Sequence, residues 1–249
     1  MESQHTIEKC EPVPESQDEP FWVERVPRWV RSSGWVEATA VDIEVAARSW
    51  PSAFVVPRAA SAAKLAHAPE LVVLRDGQGV IGFVATTFAS LLPRTGLTFR
   101  YIEGTIVHRE RGGPRKFERM MSGLGVRADV EVLHTQSPAM ARALAARSAG
   151  GLFPTAQGGL QMRHDLRHDL DRLFAAIGRP TNYCPRTGIT PGLYDRCLYA
   201  TWPIPNVPFE GSFGALLDQP TSGVVVVGFD SATAAVRGLE SDTVGGGLP

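Results

Sequence analysis

Long apolar runs are missing from this 249-residue sequence. None approaches the ~20 residues that span a bilayer, so no membrane partner is expected. Cysteine is scarce: Cys10, Cys184 and Cys197 are odd in number and far apart. That excludes a disulfide framework and a zinc knuckle, and nothing near Cys184 or Cys197 marks an activating base for a catalytic thiol. Only three of the 25 basic residues are lysine (Lys9, Lys64 and Lys116). With abundant Ala, Gly, Val and Arg, this composition suggests a GC-rich bacterial genome. The opening MESQHTIEKCEPVPESQDEP lacks a basic flank followed by an apolar stretch, so no secretory signal is read and the expected location is cytoplasmic. Residues 1–20 read instead as a disordered acidic leader. No internal repeat of useful length occurs.

What is present is the composition of a globular chain, 43% hydrophobic and 20% charged. Net charge is −1, with −5 in residues 1–20 and +4 in residues 21–249. The balance is only mildly basic, short of the footprint of a dedicated nucleic-acid binder.

Hydrophobic periodicity predicts a helix over Val41–Ser49, with Val41, Val45 and Arg48 on one face, and a second, alanine-rich helix over Arg58–His67. Residues 70–84, ELVVLRDGQGVIGFV, are two β-branched runs around Asp76-Gly77-Gln78-Gly79, which is hairpin chemistry. A strand over Thr98–Val107 leads into the segment IVHRERGGPRKFERMM (residues 106–121) and a helix from about Arg115 to Leu124. A strand over Asp129–His134 follows, then a helix over Ala139–Arg147 started by Pro138 and stopped by Gly150-Gly151. The plan is α/β (α+β), with a central mixed sheet flanked by helices. Residues 159–249 form a C-terminal extension packed on a core of residues 21–158. They contain an amphipathic helix over Gln161–Ile177, a loop-rich segment, a buried strand over Ser222–Phe229 and a frayed tail.

The hairpin LVVLRDGQGVIGFV, the strand–loop–helix TIVHRERGGPRKFERMM and the strand–helix VEVLHTQSPAMARALAARSAGGLFP resemble, in this order and spacing, the GNAT acyltransferase superfamily. The resemblance covers about a third of the chain and implies acetyl-CoA or another acyl-CoA as co-substrate. The family's loop reads R/Q-x-x-G-x-G/A and holds a pyrophosphate on its amides. Laid from Arg109, the pattern matches Arg109 and Gly112; laid from Arg111, it matches the arginine alone. Both place Pro114, which has no N–H, at a small-residue position. The cofactor-facing residues implied are Ile106, Val107, Arg109, Arg111, Gly112, Gly113, Arg115 and Lys116, with Ser137 where the family often has an asparagine. Arg115 and Lys116 are well placed to meet an anion at the helix mouth.

In such enzymes an amine attacks a thioester carbonyl and a base removes the proton. Glu103 is the only acid on the strand before the loop. It reads either as that base, made a readier proton acceptor by apolar neighbours, or as an outward-facing strand residue. The family's tyrosine on the later helix is absent, with Leu144 at about its place, and His134 is the candidate to substitute as acid. His164, His168 and Asp171 have a spacing that can hold a metal. They also describe the solvated face opposite Leu166, Leu170 and Leu173, and no metal is expected.

The function implied is N-acyl transfer to a small-molecule amine. The aromatic, Pro-rich loops around Tyr183–Pro208 then wall the acceptor site or cover a sheet edge. Two alternatives stand beside it. One is the same fold with a non-CoA donor, an aminoacyl-tRNA or a carrier-protein thioester. The other is a non-catalytic GNAT-like binding module.

Overall fold

The computed structural model describes residues 21–50, 58–90, 92–112, 115–154, 160–194 and 221–241. The expected leader, Gly113 and Pro114, Cys10 and Cys197, the loops from 195 to 220 and the tail lie outside them. The chain forms two compact units. One takes its described residues from within 21–50, 58–85 and 104–125, the other from within 86–103 and 126–241.

The first unit opens with β1 (Trp22–Arg25), antiparallel to β2 (Glu70–Asp76) with Trp22 opposite Arg75. Helix α1 runs over Ser33–Arg48, and the Ser32 side chain caps it by accepting from the Trp35 amide. The helix begins eight residues earlier than the periodicity suggests and buries the opposite face. Val36, Ala40, Ile43 and Ala47 face the core, while Val41 and Val45 are exposed. Small and branched residues spaced three and four apart form the apolar stripe, a pattern too long for the window first read. Helix α2 (Arg58–His67) lies where expected. The hairpin forms as its turn chemistry implies: β2 passes through Gly77-Gln78 into β3 (Gly79–Ala89), and the Asp76 carboxylate accepts from the Gln78 amide at 2.9 Å. The core of this unit gathers Val36, Ala40, Ile43, Leu65, Leu71, Val73, Phe83 and Ile106.

β4 (Phe99–Val107) and β5 (Val130–Thr135) are parallel, with Phe99 opposite Val130. Helix α3 (Lys116–Ser122) lies on the crossover between them, as parallel pairing requires. The pairing is fixed at its start by Asp129, whose carboxylate accepts from both the amide (2.8 Å) and the hydroxyl (2.7 Å) of Thr98. Strand hydrogen bonds give the order β1-β2-β3-β4-β5, then β9 (Gly223–Phe229) and β6 (Gly151–Phe153), with β8 (Ile189–Thr190) also on β9, in a mixed sheet of eight strands. Six α-helices accompany it among the described residues. This is the α/β plan that the sequence and its family resemblance imply.

In the second unit, α4 (Pro138–Arg147) is followed by β6 (Gly151–Phe153), β7 (Leu160–Met162), α5 (His164–Ala176) and β8 (Ile189–Thr190). Then come β9 (Gly223–Phe229), α6 (Ala232–Gly238) and β10 (Leu239–Ser241). The GVVVVGF strand is fully buried, as its composition implies. β9 hydrogen-bonds between β5 and β6, antiparallel to both. α5 starts at His164 because the three residues of β7 pair with β10 instead of joining the helix. Leu166, Leu170, Leu173 and Phe174 of α5 pack with Tyr101, Val132, Val225 and Phe229. Asp169, wholly buried on the same helix, accepts from the Thr95 amide and hydroxyl, both at 2.8 Å, and so ties the β3–β4 connection to α5.

Candidate functional site

The loop after β4 belongs to the first unit, and its amides face inward. The His108 amide donates to the Ile81 carbonyl at 2.6 Å. The Arg109 amide donates to the Ser49 hydroxyl at the end of α1 at 2.8 Å. The amides of Glu110 and Arg111 both donate to Nδ1 of His108, at 3.2 Å each. All four consecutive N–H groups therefore have an acceptor within the protein. Gly112 closes the turn at φ 85°, where a side chain would be strained, and a Cβ there would lie 2.5 Å from Ile81 Cδ1, which would have to shift.

Three of the cations, Arg111, Lys116 and Arg119, are also engaged. Arg111 grips the Asp76 carboxylate with two nitrogens, Nε at 2.8 Å from Oδ2 and Nη2 on Oδ1. Burial acts to raise the Asp76 pKa, but the Arg111 guanidinium and the amides of Gln78 and Gly79 hold it below the usual value. The Lys116 ammonium donates to the carbonyls of His108 and Arg109, the latter at 2.6 Å, and burial lowers its pKa. The Arg119 guanidinium sits 4.3 Å above the Phe21 ring. Arg109 and Arg115 have exposed side chains, and Arg115 caps α3 in the left-handed region at φ 56°. Ile106 is packed in the core of this unit, and the Val107 carbonyl accepts from the Trp50 indole at 2.7 Å.

A pyrophosphate needs unpaired N–H groups pointing outward. The amides of residues 108–111 do not offer them in this conformation, since each has an acceptor within the protein. Lys116, read from the sequence as an anion ligand, fastens the loop to itself, and Arg111 is a structural partner of Asp76.

The second unit holds Glu103 and His134, the two acid–base candidates read from the sequence. Side chains alternate along a strand, so Phe99, Tyr101 and Glu103 share one face of β4. Glu103 is half-buried, and its carboxylate accepts from the Thr87 hydroxyl. Tyr101 is buried, with its hydroxyl 3.2 Å from His134 Nδ1. The His134 ring lies 4.6 Å from Phe174, its carbonyl accepts from the Tyr194 hydroxyl at 3.2 Å, and its Nε2 is buried with no partner among the described residues. Burial, with Arg179 nearby, lowers the His134 pKa to about 3. The imidazole is thus neutral at physiological pH, which does not suit it as an acid. Burial raises the Tyr101 pKa to about 12, so the phenol keeps its proton. Tyr101 was missed in the sequence, although its place two residues before Glu103 was a usable signal.

Ser137 caps α4, accepting from the Met140 amide at 3.4 Å. Leu144 is buried against β9, where a Cβ on Gly228 would come within 3.0 Å of it. On α5, His164 is largely exposed, and no cluster of three metal-ligating side chains occurs among the described residues. No described helix is long and apolar enough to cross a membrane.

Three solved structures are similar to this chain. A possible acetyltransferase from Clostridium difficile 630 aligns at 9% identity over 41% of this chain and 67% of its own, with a TM-score of 0.30. An integron cassette protein from the mobile metagenome of V. cholerae aligns at 16% identity over 42% of this chain, with a TM-score of 0.30. A GCN5-related N-acetyltransferase from Kribbella flavida aligns at 13% identity over 63% of this chain, with a TM-score of 0.33. The alignments span 65% and 44% of the latter two proteins, less than two thirds of each. No protein-family model and no curated protein matches the chain.

Proposed function

We propose that the chain is a GNAT-type acyltransferase that moves an acyl group from an activated thioester to the amine of a small molecule. One arrangement carries this reading. Glu103 and Tyr101 project from the same face of β4, and Tyr101 is paired with His134 on the parallel neighbour β5. A carboxylate can accept the proton that an attacking amine must lose, while a phenol that keeps its proton can return one to a leaving group. His134, neutral and fixed by Phe174 and the Tyr101 hydroxyl, holds that phenol in place. The roles assigned are Glu103 as base, Tyr101 as acid and His134 as positioning residue.

The donor of this first reading is an acyl-CoA. The inward-facing amides of residues 108–111 favour a second reading, a donor such as an aminoacyl-tRNA or carrier-protein thioester whose recognition does not use them. The test is to incubate the purified protein with acetyl-CoA and a panel of small amines, then with an aminoacyl-tRNA and an acyl-carrier thioester, and to detect acylated amine by mass spectrometry. Product from acetyl-CoA supports the first reading, and product from the other donors alone supports the second. Absence of product from every donor leaves the non-catalytic module.

A further inference from the structure

The loop and the family resemblance disagree in a specific way. A turn that would be expected to present its N–H groups to an anion presents two of them to a ring nitrogen of its own chain. We propose that the His108 imidazole is a latch that occupies an anion-binding turn and must leave before a diphosphate group can bind there. The inference rests on the acyl-CoA reading for the identity of the ligand, but the latch itself is read from the loop.

The geometry supports a latch over a simple loop brace. The Glu110 and Arg111 amides converge on one acceptor atom, as successive amides converge on a phosphate oxygen in an anion nest. The rest of the turn is held independently of the imidazole. Arg111 is fastened to Asp76, Lys116 to two loop carbonyls and the Arg109 amide to Ser49. Gly112 fixes the closure. If the ring rotated away, those fastenings would remain and two adjacent N–H groups would be free, with the exposed Arg109 and Arg115 side chains nearby in sequence.

Protonation should work the latch. A neutral imidazole can accept at Nδ1, whereas the protonated ring donates from both nitrogens and can accept from neither amide. The charged groups acting on His108 are Arg111, Lys116, Glu110 and Asp76. Burial, then Arg111 and Lys116, lower the His108 pKa, so the latch is closed at neutral pH and opens only below the ordinary histidine value of about 6.5.

The test titrates inorganic pyrophosphate into the full chain at about pH 7.5 and about pH 5, beside a His108→Phe variant that keeps the ring bulk and removes the acceptor. Wild type should bind roughly tenfold more tightly at the lower pH, and the variant should bind roughly tenfold more tightly than wild type at the higher pH and lose most of the pH dependence. Equal wild-type affinity with the His108 ring neutral and with it protonated, weaker binding by the variant, or no binding under any condition would each overturn the proposal. Amide hydrogen exchange on wild type alone gives a second readout should the variant fail to fold. Protection of Glu110 and Arg111 should drop together as His108 protonates, and protection unchanged through that titration would overturn the latch. Pyrophosphate binding that follows the latch while no acyl donor is turned over would sink the acyltransferase reading and leave the latch standing.

Discussion

Arg111 and Asp76 form a two-point ion pair in which the carboxylate is almost entirely buried and the guanidinium about one quarter exposed. The pair joins the end of β2 to the loop after β4, and it engages one loop arginine within the protein. Arg111→Ala leaves a buried carboxylate without its partner, a change that typically costs about 3–5 kcal/mol. Chemical denaturation at neutral pH should register a loss of at least about 2 kcal/mol, with the hairpin turn retaining the Gln78 contact.

The same pair gives a pH signature. Because the folded Asp76 pKa lies below its unfolded value of about 3.9, its contribution is fully present above that value and is lost as pH falls through the folded pKa. Asp76→Asn should therefore show a smaller loss of stability than wild type between about pH 5 and about pH 2. Superimposable stability–pH curves would contradict this assignment.

Legibility in the sequence varied with the range of the interactions. The β2–β3 hairpin was legible because Asp76-Gly77 chemistry acts within four residues, and α2 because its ends are locally marked. The start of α1 was not legible because the window from Val41 left out Val36 and Ala40, which begin the buried stripe that Ile43 and Ala47 continue. The place of β9 between β5 and β6 was not legible, since an apolar run says that a strand is buried and not which neighbours it takes. The loop's chemistry was the least legible part. Its cations are plain in the sequence, but the engagement of Arg111 and Lys116 depends on Asp76 and the backbone carbonyls they meet, and only the folded chain brings these together.

Gly112→Ala tests the turn directly. The residue sits at φ 85° and its Cβ would strike Ile81, so the variant should lose about 1–3 kcal/mol in a denaturation experiment. A neutral effect would mean that the turn closes differently.

His134 should remain neutral well below the ordinary histidine range. Its folded pKa, lowered to about 3 by burial and Arg179, places its contribution to stability above the unfolded value of about 6.5. That contribution is lost as pH falls from there toward the folded pKa. Nitrogen-15 NMR should show no titration of this ring between about pH 7.5 and about pH 5. Tyr101→Phe removes its Nδ1 partner and should cost about 1–2 kcal/mol of stability.

The central claim, proton transfer by Glu103 during acyl transfer to an amine, is tested most directly by comparing wild type with Glu103→Gln. The variant keeps an acceptor for the Thr87 hydroxyl but cannot take the proton. Amine-dependent release of thiol from the acyl donor should fall at least ~100-fold in the variant, while its circular dichroism and denaturation midpoint stay close to wild type. Equal rates in the two proteins, or no amine-dependent release by wild type with any donor, would contradict the account.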